Sequence, residues 1–213
     1  MRRLQGIYLV IDPSAEHVLD QLSKALLGGI DLIQVWNHWP ADFSIHQKTA
    51  LIHQIKQLAG IHNVPVLMHD DWKLCVELEL DGVHFDKLPV DWPDAKEYTR
   101  DKITGLTVGN DPHTIELAEK EGFSYLSFCA MFPSTSAGNC EIVTPESVRK
   151  AREITSRPLF LSGGIKPENL ELLRGLDFQG VAIISGIMSS NDPETAVKSY
   201  RNRLNKIQKI PTA

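Results

Sequence analysis

Short apolar runs rich in β-branched residues alternate with longer amphipathic stretches along the 213 residues of the chain. Such runs are typical of strands in a parallel sheet that is covered on both faces. The pattern predicts eight strands: Gly6 to Ile11, Asp31 to Val35, Pro65 to Met68, Gly82 to Phe85, Ile103 to Val108, Tyr125 to Cys129, Pro158 to Leu161 and Gly180 to Ile184. It predicts helices between them: His17 to Leu27, His46 to Leu58, Pro112 to Glu121, Pro145 to Thr155, Pro167 to Arg174 and Asp192 to Ile207.

The alternation favours an α/β fold, a single (βα)8 TIM barrel that spans residues 1–213. About 250 residues is usual for this fold, so the chain length predicts short loops. Helix starts are marked by a capping residue followed by proline, as at Thr144-Pro145 and Asp111-Pro112. Residues 206–213 are expected to form a loosely held tail.

The composition and charge of the chain limit the kinds of molecule that it is expected to bind and the compartment in which it is expected. The formal net charge of −5 gives no basic surface for nucleic acid. No apolar run is long enough for a membrane span, and no signal peptide precedes the first strand, so we expect a cytoplasmic protein. The cysteines Cys75, Cys129 and Cys140 lack metal-ligand spacing and are expected to be reduced thiols.

Two glycine-containing segments follow the last two predicted strands, Ser162-Gly163-Gly164 and Ile184-Ser185-Gly186. Glycine lets backbone N–H groups approach an anion closely, and a helix that begins downstream adds its positive end. In a (βα)8 barrel, the loops after strands seven and eight frequently bind phosphate. The segments therefore predict a phosphate site made by Gly163, Gly164, Ile184 and Ser185.

The stretch from Gly6 to Ser190 resembles the thiamine phosphate synthase and thiazole tautomerase (TenI) family. The resemblance is carried by Gly28-Gly29-Ile30-Asp31-Leu32-Ile33-Gln34, His69-Asp70-Asp71, Leu80-Asp81-Gly82-Val83-His84, Phe132-Pro133-Ser134-Thr135-Ser136, Gly163-Gly164-Ile165 and residues 180–187. It implies a barrel that joins a thiazole phosphate to a hydroxymethylpyrimidine diphosphate and releases pyrophosphate with the help of Mg²⁺. It also implies a homodimer.

The resemblance assigns roles to residues of this chain. Asp70 would hold the metal. The expected catalytic residues are His69, Asp70, Ser134 and Ser136. The expected substrate-binding residues are Gln34, Trp36, His38, Thr107, Gly163, Gly164, Ile184 and Ser185.

The residues that would bind the diphosphate of the pyrimidine substrate depart from the family pattern. The family's Gln-x-Arg-x-Lys segment has become Gln34-Val35-Trp36-Asn37-His38, which lacks both permanent cations. A family aspartate that helps to hold magnesium aligns with Pro89, and the loop from Ser134 to Ala137 lacks the family's lysine. Removing one preorganised donor typically costs about 2.7–4 kcal/mol of transition-state stabilisation. The sequence therefore predicts an altered diphosphate site.

Three alternatives stay open. Histidines and carboxylates at strand ends would suit Zn²⁺ or Mn²⁺ instead of Mg²⁺; they are His38, His69, Asp70, Asp71, His84, Asp86 and Asp91. A TenI-like tautomerase would need a histidine where this chain has Ala130. A non-catalytic or regulatory paralogue would bind a phosphorylated heterocycle without turnover.

Overall fold

The computed structural model describes residues 3–134 and 141–208. Its strands are β1 (Gly6–Ile11), β2 (Leu32–Val35), β3 (Val66–His69), β4 (Gly82–Phe85), β5 (Ile103–Val108), β6 (Tyr125–Phe128), β7 (Leu159–Ser162) and β8 (Gly180–Ile183). Its helices are α1 (Val18–Leu27), α2 (Ile45–Ile61), α3 (Trp72–Glu77), α4 (Trp92–Tyr98), α5 (Pro112–Glu121), α6 (Pro145–Ile154), α7 (Ser185–Met188) and α8 (Pro193–Gln208). A 3-10 helix, Leu170–Leu173, lies between β7 and β8.

The strands close into a barrel. They pair in parallel in chain order, and β1 also pairs with β8, so that Tyr8 lies opposite Leu32 on one side and Ala182 on the other. The predicted (βα)8 fold is confirmed. The predicted bounds of β1, β4 and β5 match the structure, and those of the other strands differ by one residue at one or both ends.

The apolar strands supply two cores because each strand has two buried faces. In β1, Leu9 packs outward against the helices, whereas Tyr8 points into the barrel. The interior cluster consists of Tyr8, Val10, Leu32, Leu67, Tyr125, Phe160 and Ala182. This arrangement explains why the strands show continuous apolar runs instead of alternation.

The predicted helix starts are confirmed at two capping residues. The Thr144 side chain accepts a hydrogen bond from the Ser147 N–H at 3.1 Å, and the Asp111 carboxylate accepts one from the His113 N–H at 3.1 Å. Helices α3 and α4 have six and seven residues, which is too short for a clear amphipathic repeat. No helix in the described part of the chain is long and apolar enough to cross a membrane.

Two predicted elements need correction. The segment Pro167 to Arg174 contains a 3-10 helix instead of an α-helix, and its three residues per turn place the buried Leu170 and Leu173 on one face. Helix α8 continues to Gln208 because Ile207, only 7 % exposed, packs into the core. Residues 206–208 therefore belong to the helix, and the rest of the predicted tail, 209–213, lies outside the described residues.

We expect Gly82→Ala to destabilise the barrel. A Cβ at this position would lie 2.0 Å from the Ile103 carbonyl oxygen on β5. Overpacking of this kind typically costs about 1–3 kcal/mol of unfolding free energy. The control is Gly60→Ala in α2, where a Cβ would meet nothing within 4 Å and should stabilise by about 0.5–1 kcal/mol. Urea unfolding of both variants measures the difference, and equal stabilities would contradict the expectation.

Candidate functional site

A cavity of about 760 Å³ opens at the carboxyl ends of the strands, where (βα)8 barrels place their sites. Nine of the twelve site residues predicted from the sequence line it: Gln34, Trp36, His69, Thr107, Ser134, Gly163, Gly164, Ile184 and Ser185. Asp70 lies beside the cavity and contacts two of its lining residues, His69 and Asp86. The carboxyl ends of β2 to β8 therefore contribute to one site.

Besides Asp70, two predicted site residues, His38 and Ser136, are not among the described residues that line this cavity. The His38 Nδ1 lies 3.2 Å from both carboxylate oxygens of Asp12, and its ring packs on Trp36 at 4.7 Å. The His38 side chain is 58 % exposed and contacts Asp12, so its role in substrate binding stays a prediction. Ser136 lies outside the described residues.

Gly163 and Gly164 form a turn that only glycine fits. Their φ values are +82° and +64°. A Cβ on Gly163 would lie 2.4 Å from the Ala130 Cβ, and one on Gly164 would lie 2.6 Å from the Pro133 carbonyl oxygen. Neither backbone N–H donates to an acceptor within residues 3–134 and 141–208. The turn thus presents two backbone donors to the cavity, as an anion site requires.

Tyr200 of α8 connects the turn after β7 to the segment after β8. Its hydroxyl donates to the Ile165 carbonyl at 3.0 Å, and a Cβ on Gly186 would lie 2.1 Å from the same hydroxyl. Burial raises the pKa of Tyr200 to about 12. Helix α7 has only four residues. The helix predicted downstream of β8 is therefore present, and backbone N–H groups at its start, together with those of the glycine turn, can donate to an anion.

Three side chains form a carboxylate cluster, defined here as His69, Asp70 and Asp86, on the wall made by β3 and β4. Their potential ligand atoms lie within 4.8 Å of one another. The His69 Nε2 is 3.2 Å from Asp86 Oδ1 and 3.6 Å from Asp70 Oδ2, and the Asp86 N–H donates to Asp70 Oδ1 at 2.9 Å. The hydrogen bond from His69 holds the pKa of the Asp86 carboxyl below its usual value. The Asp86 carboxylate is thus ionised at neutral pH.

The hydrogen bonds of His69 indicate which atoms of the cluster can bind a cation. Its Nδ1 accepts from the Asn37 backbone N–H at 3.4 Å, so in the neutral ring the proton lies on Nε2, which faces the carboxylates. His69 is therefore a donor to Asp86, and the available ligands are carboxylate oxygens. This oxygen set fits Mg²⁺, which binds one or two carboxylates and keeps several waters, and it disfavours Zn²⁺.

The other acidic candidates from the sequence have structural partners. The Asp71 carboxylate caps α3 by accepting from the Leu74 N–H at 2.9 Å. Asp91 accepts from the Trp72 indole N–H at 3.3 Å. These contacts leave Asp70 and Asp86 as the carboxylate pair. The family's second carboxylate position is Pro89 in this chain, and the structure places Asp86, three residues earlier, beside Asp70.

A chain of hydrogen bonds connects Asp86 to the barrel interior. The Thr107 hydroxyl donates to Asp86 Oδ1 at 3.2 Å and accepts from His84 Nε2 at 2.9 Å. The His84 Nδ1 then accepts from the Tyr125 hydroxyl at 2.9 Å. Burial lowers the pKa of His84 to about 3, so its ring is neutral and makes one donor and one acceptor contact.

Gln34 is held by a neighbouring hydrogen bond. The Tyr8 hydroxyl donates to Gln34 Oε1, and the Tyr8 oxygen lies 2.9 Å from the Tyr125 oxygen. Tyr8 and Tyr125 were not identified from the sequence, although the alternation within β1 would have placed Tyr8 inside the barrel. Through this chain, groups that line the cavity are fixed by residues buried below it.

We expect Tyr125→Phe to destabilise the protein by about 1–3 kcal/mol, because it leaves the buried His84 Nδ1 without a donor. Tyr98→Phe is the control, since Tyr98 is 61 % exposed and should change stability by less than about 0.5 kcal/mol. Denaturant unfolding monitored by circular dichroism measures both. Indistinguishable midpoints would show that the chain does not stabilise the barrel.

A closed (βα)8 barrel with a glycine turn that presents backbone N–H groups after β7, and with a carboxylate pair after β3 and β4, is the arrangement expected of a barrel protein for phosphorylated small molecules. Residues 7–187 match the model of the TMP-TENI family, described as thiamine monophosphate synthase. The chain belongs to this family.

Relatives and a solved structure agree with this family. The thiamine-phosphate synthase of Clostridium beijerinckii is 31 % identical over 95 % of this chain and 97 % of its own. That of Thermoplasma acidophilum is 28 % identical over 95 % and 94 %. The structure of thiamine phosphate pyrophosphorylase from Pyrococcus furiosus superimposes with a TM-score of 0.83 at 22 % identity, covering 95 % of this chain and 96 % of that one, which supports the fold.

Proposed function

We propose that this protein is a thiamine-phosphate synthase, a transferase that joins a thiazole phosphate to hydroxymethylpyrimidine diphosphate and releases pyrophosphate, with an altered diphosphate site. The observation that carries the proposal is that one cavity of a family member combines a turn that can bind a phosphate with a carboxylate pair that can bind a cation. The turn at Gly163 and Gly164 offers backbone donors, and Asp70 and Asp86 offer a carboxylate pair.

In this proposal, the thiazole phosphate binds at Gly163, Gly164, Ile184 and Ser185. Positive φ values and the close approach of neighbouring backbone keep side chains away from the first two positions, so a phosphate oxygen can reach the N–H groups. Thr107 and Ser134 contribute hydroxyls to the same cavity, and Trp36 offers an aromatic face to a heterocycle. Gln34 is held by Tyr8 for contact with the substrate.

Asp70 and Asp86 are the residues that would hold magnesium. When bound, the ion would stabilise the negative charge that builds on the departing pyrophosphate. His69 and Thr107 orient the Asp86 carboxylate by donating to it, so its position is set before substrate binds. Asp70 has a left-handed backbone, with φ of +57°, and its N–H donates to the His84 carbonyl at 2.8 Å, which fixes it at the end of β3.

The tautomerase alternative receives less support. Ala130, the position that bears the expected acid/base histidine, is 1 % exposed and packs against Gly163. Alanine offers no proton to exchange. The homodimer stays a prediction.

Incubation of the protein with both substrates and Mg²⁺ is expected to produce thiamine phosphate and pyrophosphate, measured by chromatography. Asp86→Asn should lower kcat at least about 100-fold, because it removes one of two carboxylates for the ion. Asp101→Asn, at a side chain 90 % exposed, is the control and should retain full activity. No product from the unchanged protein with Mg²⁺ or Mn²⁺ would reject the synthase and favour the non-catalytic binder.

Calorimetry tests the phosphate site separately from turnover. We expect the thiazole phosphate to bind at least about tenfold more tightly than the unphosphorylated thiazole alcohol, because only the phosphate meets the turn's N–H groups. Gly163→Ala should abolish most of this difference, since its Cβ would overlap Ala130. Equal affinities of the unchanged protein for the two ligands would refute the assignment of the phosphate site.

A further inference from the structure

Two lysines, Lys87 and Lys166, line the cavity, and they are the only lysine or arginine residues among the described residues that do so. Both side chains are exposed. Neither forms an ion pair with any residue that the structure describes, whereas Lys24, Lys96 and Lys198 each pair with a carboxylate. Their charges are therefore not neutralised by a carboxylate in the described part of the chain.

The two lysines lie on different walls. Lys87 directly follows Asp86 after β4, beside the carboxylate cluster. Lys166 follows the turn at Gly163 and Gly164 after β7. In the closed barrel β4 and β7 are separated by β5 and β6, so each lysine enters the cavity beside a different candidate anion site.

Among the residues that the structure describes, the wall beside Lys87 has no other lysine or arginine. Trp36 lines it where the family has arginine, and His38, at the position of the family's lysine, is engaged by Asp12. His84 is buried and contacts Tyr125 and Thr107. Asp70 and Asp86 add negative charge. A diphosphate that approaches this wall meets Lys87. The flexible lysine side chain can place its ammonium charge beside the phosphate oxygens.

On this basis, and resting on the proposed function, we propose that Lys87 binds the diphosphate of the pyrimidine substrate and that Lys166 binds the phosphate of the thiazole substrate. Lys87, which follows β4, would then replace the arginine and lysine that the family pattern places after β2. Lys166 would add a positive charge beside the neutral N–H donors of the glycine turn.

Steady-state kinetics of Lys87→Gln and Lys166→Gln tests this division. Lys87→Gln should reduce kcat/KM for the pyrimidine diphosphate at least about tenfold and change KM for the thiazole phosphate less than about twofold. Lys166→Gln should show the opposite selectivity, so each variant is the control for the other. Lys87→Arg keeps the charge and should retain most activity, and Lys120→Gln, exposed on α5, should leave both constants unchanged.

Calorimetry distinguishes failure of this inference from failure of the synthase assignment. With Mg²⁺ present, inorganic pyrophosphate should bind the unchanged protein and Lys166→Gln alike, and bind Lys87→Gln at least about tenfold more weakly. Thiazole phosphate should bind the unchanged protein and Lys87→Gln alike, and bind Lys166→Gln at least about tenfold more weakly. These results would support the inference even if no product formed. No binding of pyrophosphate to the unchanged protein, or equal effects of both substitutions on both ligands, would overturn it.

Discussion

The hydrogen bonds between β1 and β8 that close the sheet are the constraint on which the site depends. Gly6 pairs with Gly180 and Leu9 with Ile183, so no strand is left as an edge. The backbones of β1 and β8 approach each other closely, since a Cβ on Gly180 would lie 2.4 Å from the Gly6 carbonyl oxygen. The Asp31 carboxylate reinforces the closure, since it accepts from the Ile7 N–H at 2.8 Å and from Arg201 of α8 at 2.5 Å. Closure brings the turn after β7 to face the carboxylates after β3 and β4.

The barrel interior is polar and aromatic as well as apolar, and this composition affects the mouth. Tyr8 and Tyr125 each pack edge-on against Phe160, with ring centroids 5.4 Å apart. The Tyr125 hydroxyl donates to His84 Nδ1, and the Tyr8 hydroxyl donates to Gln34 Oε1. No buried side-chain nitrogen or oxygen in the described residues lacks a partner. The groups at the mouth are therefore oriented by a fully bonded support, which is what preorganised electrostatic stabilisation requires.

Most of the fold could be predicted from the sequence because strand and helix periods are local properties. The site was predictable where backbone chemistry determines it, as at Gly163 and Gly164. It was less predictable where loops decide which side chains meet. Asp86 joins Asp70 because the turn after β4 places its N–H on the Asp70 carboxylate, and no spacing rule specifies that contact. The contact between His38 and Asp12 is likewise unpredictable, since Asp12 lies after β1, 26 residues earlier in the sequence.

The charges around the carboxylate cluster restrict how the diphosphate side can work. Asp70 and Asp86 are the two carboxylates of the cluster, and a magnesium ion bound by them would cancel their charge and leave little excess for the leaving group. Both ring nitrogens of His69 are already engaged, one by the Asn37 N–H and the other by the Asp86 carboxylate. The arginine and lysine of the family pattern are absent from β2. A synthase of this design must therefore obtain further positive charge from another part of the cavity, since unbalanced anions repel strongly in a partly desolvated site.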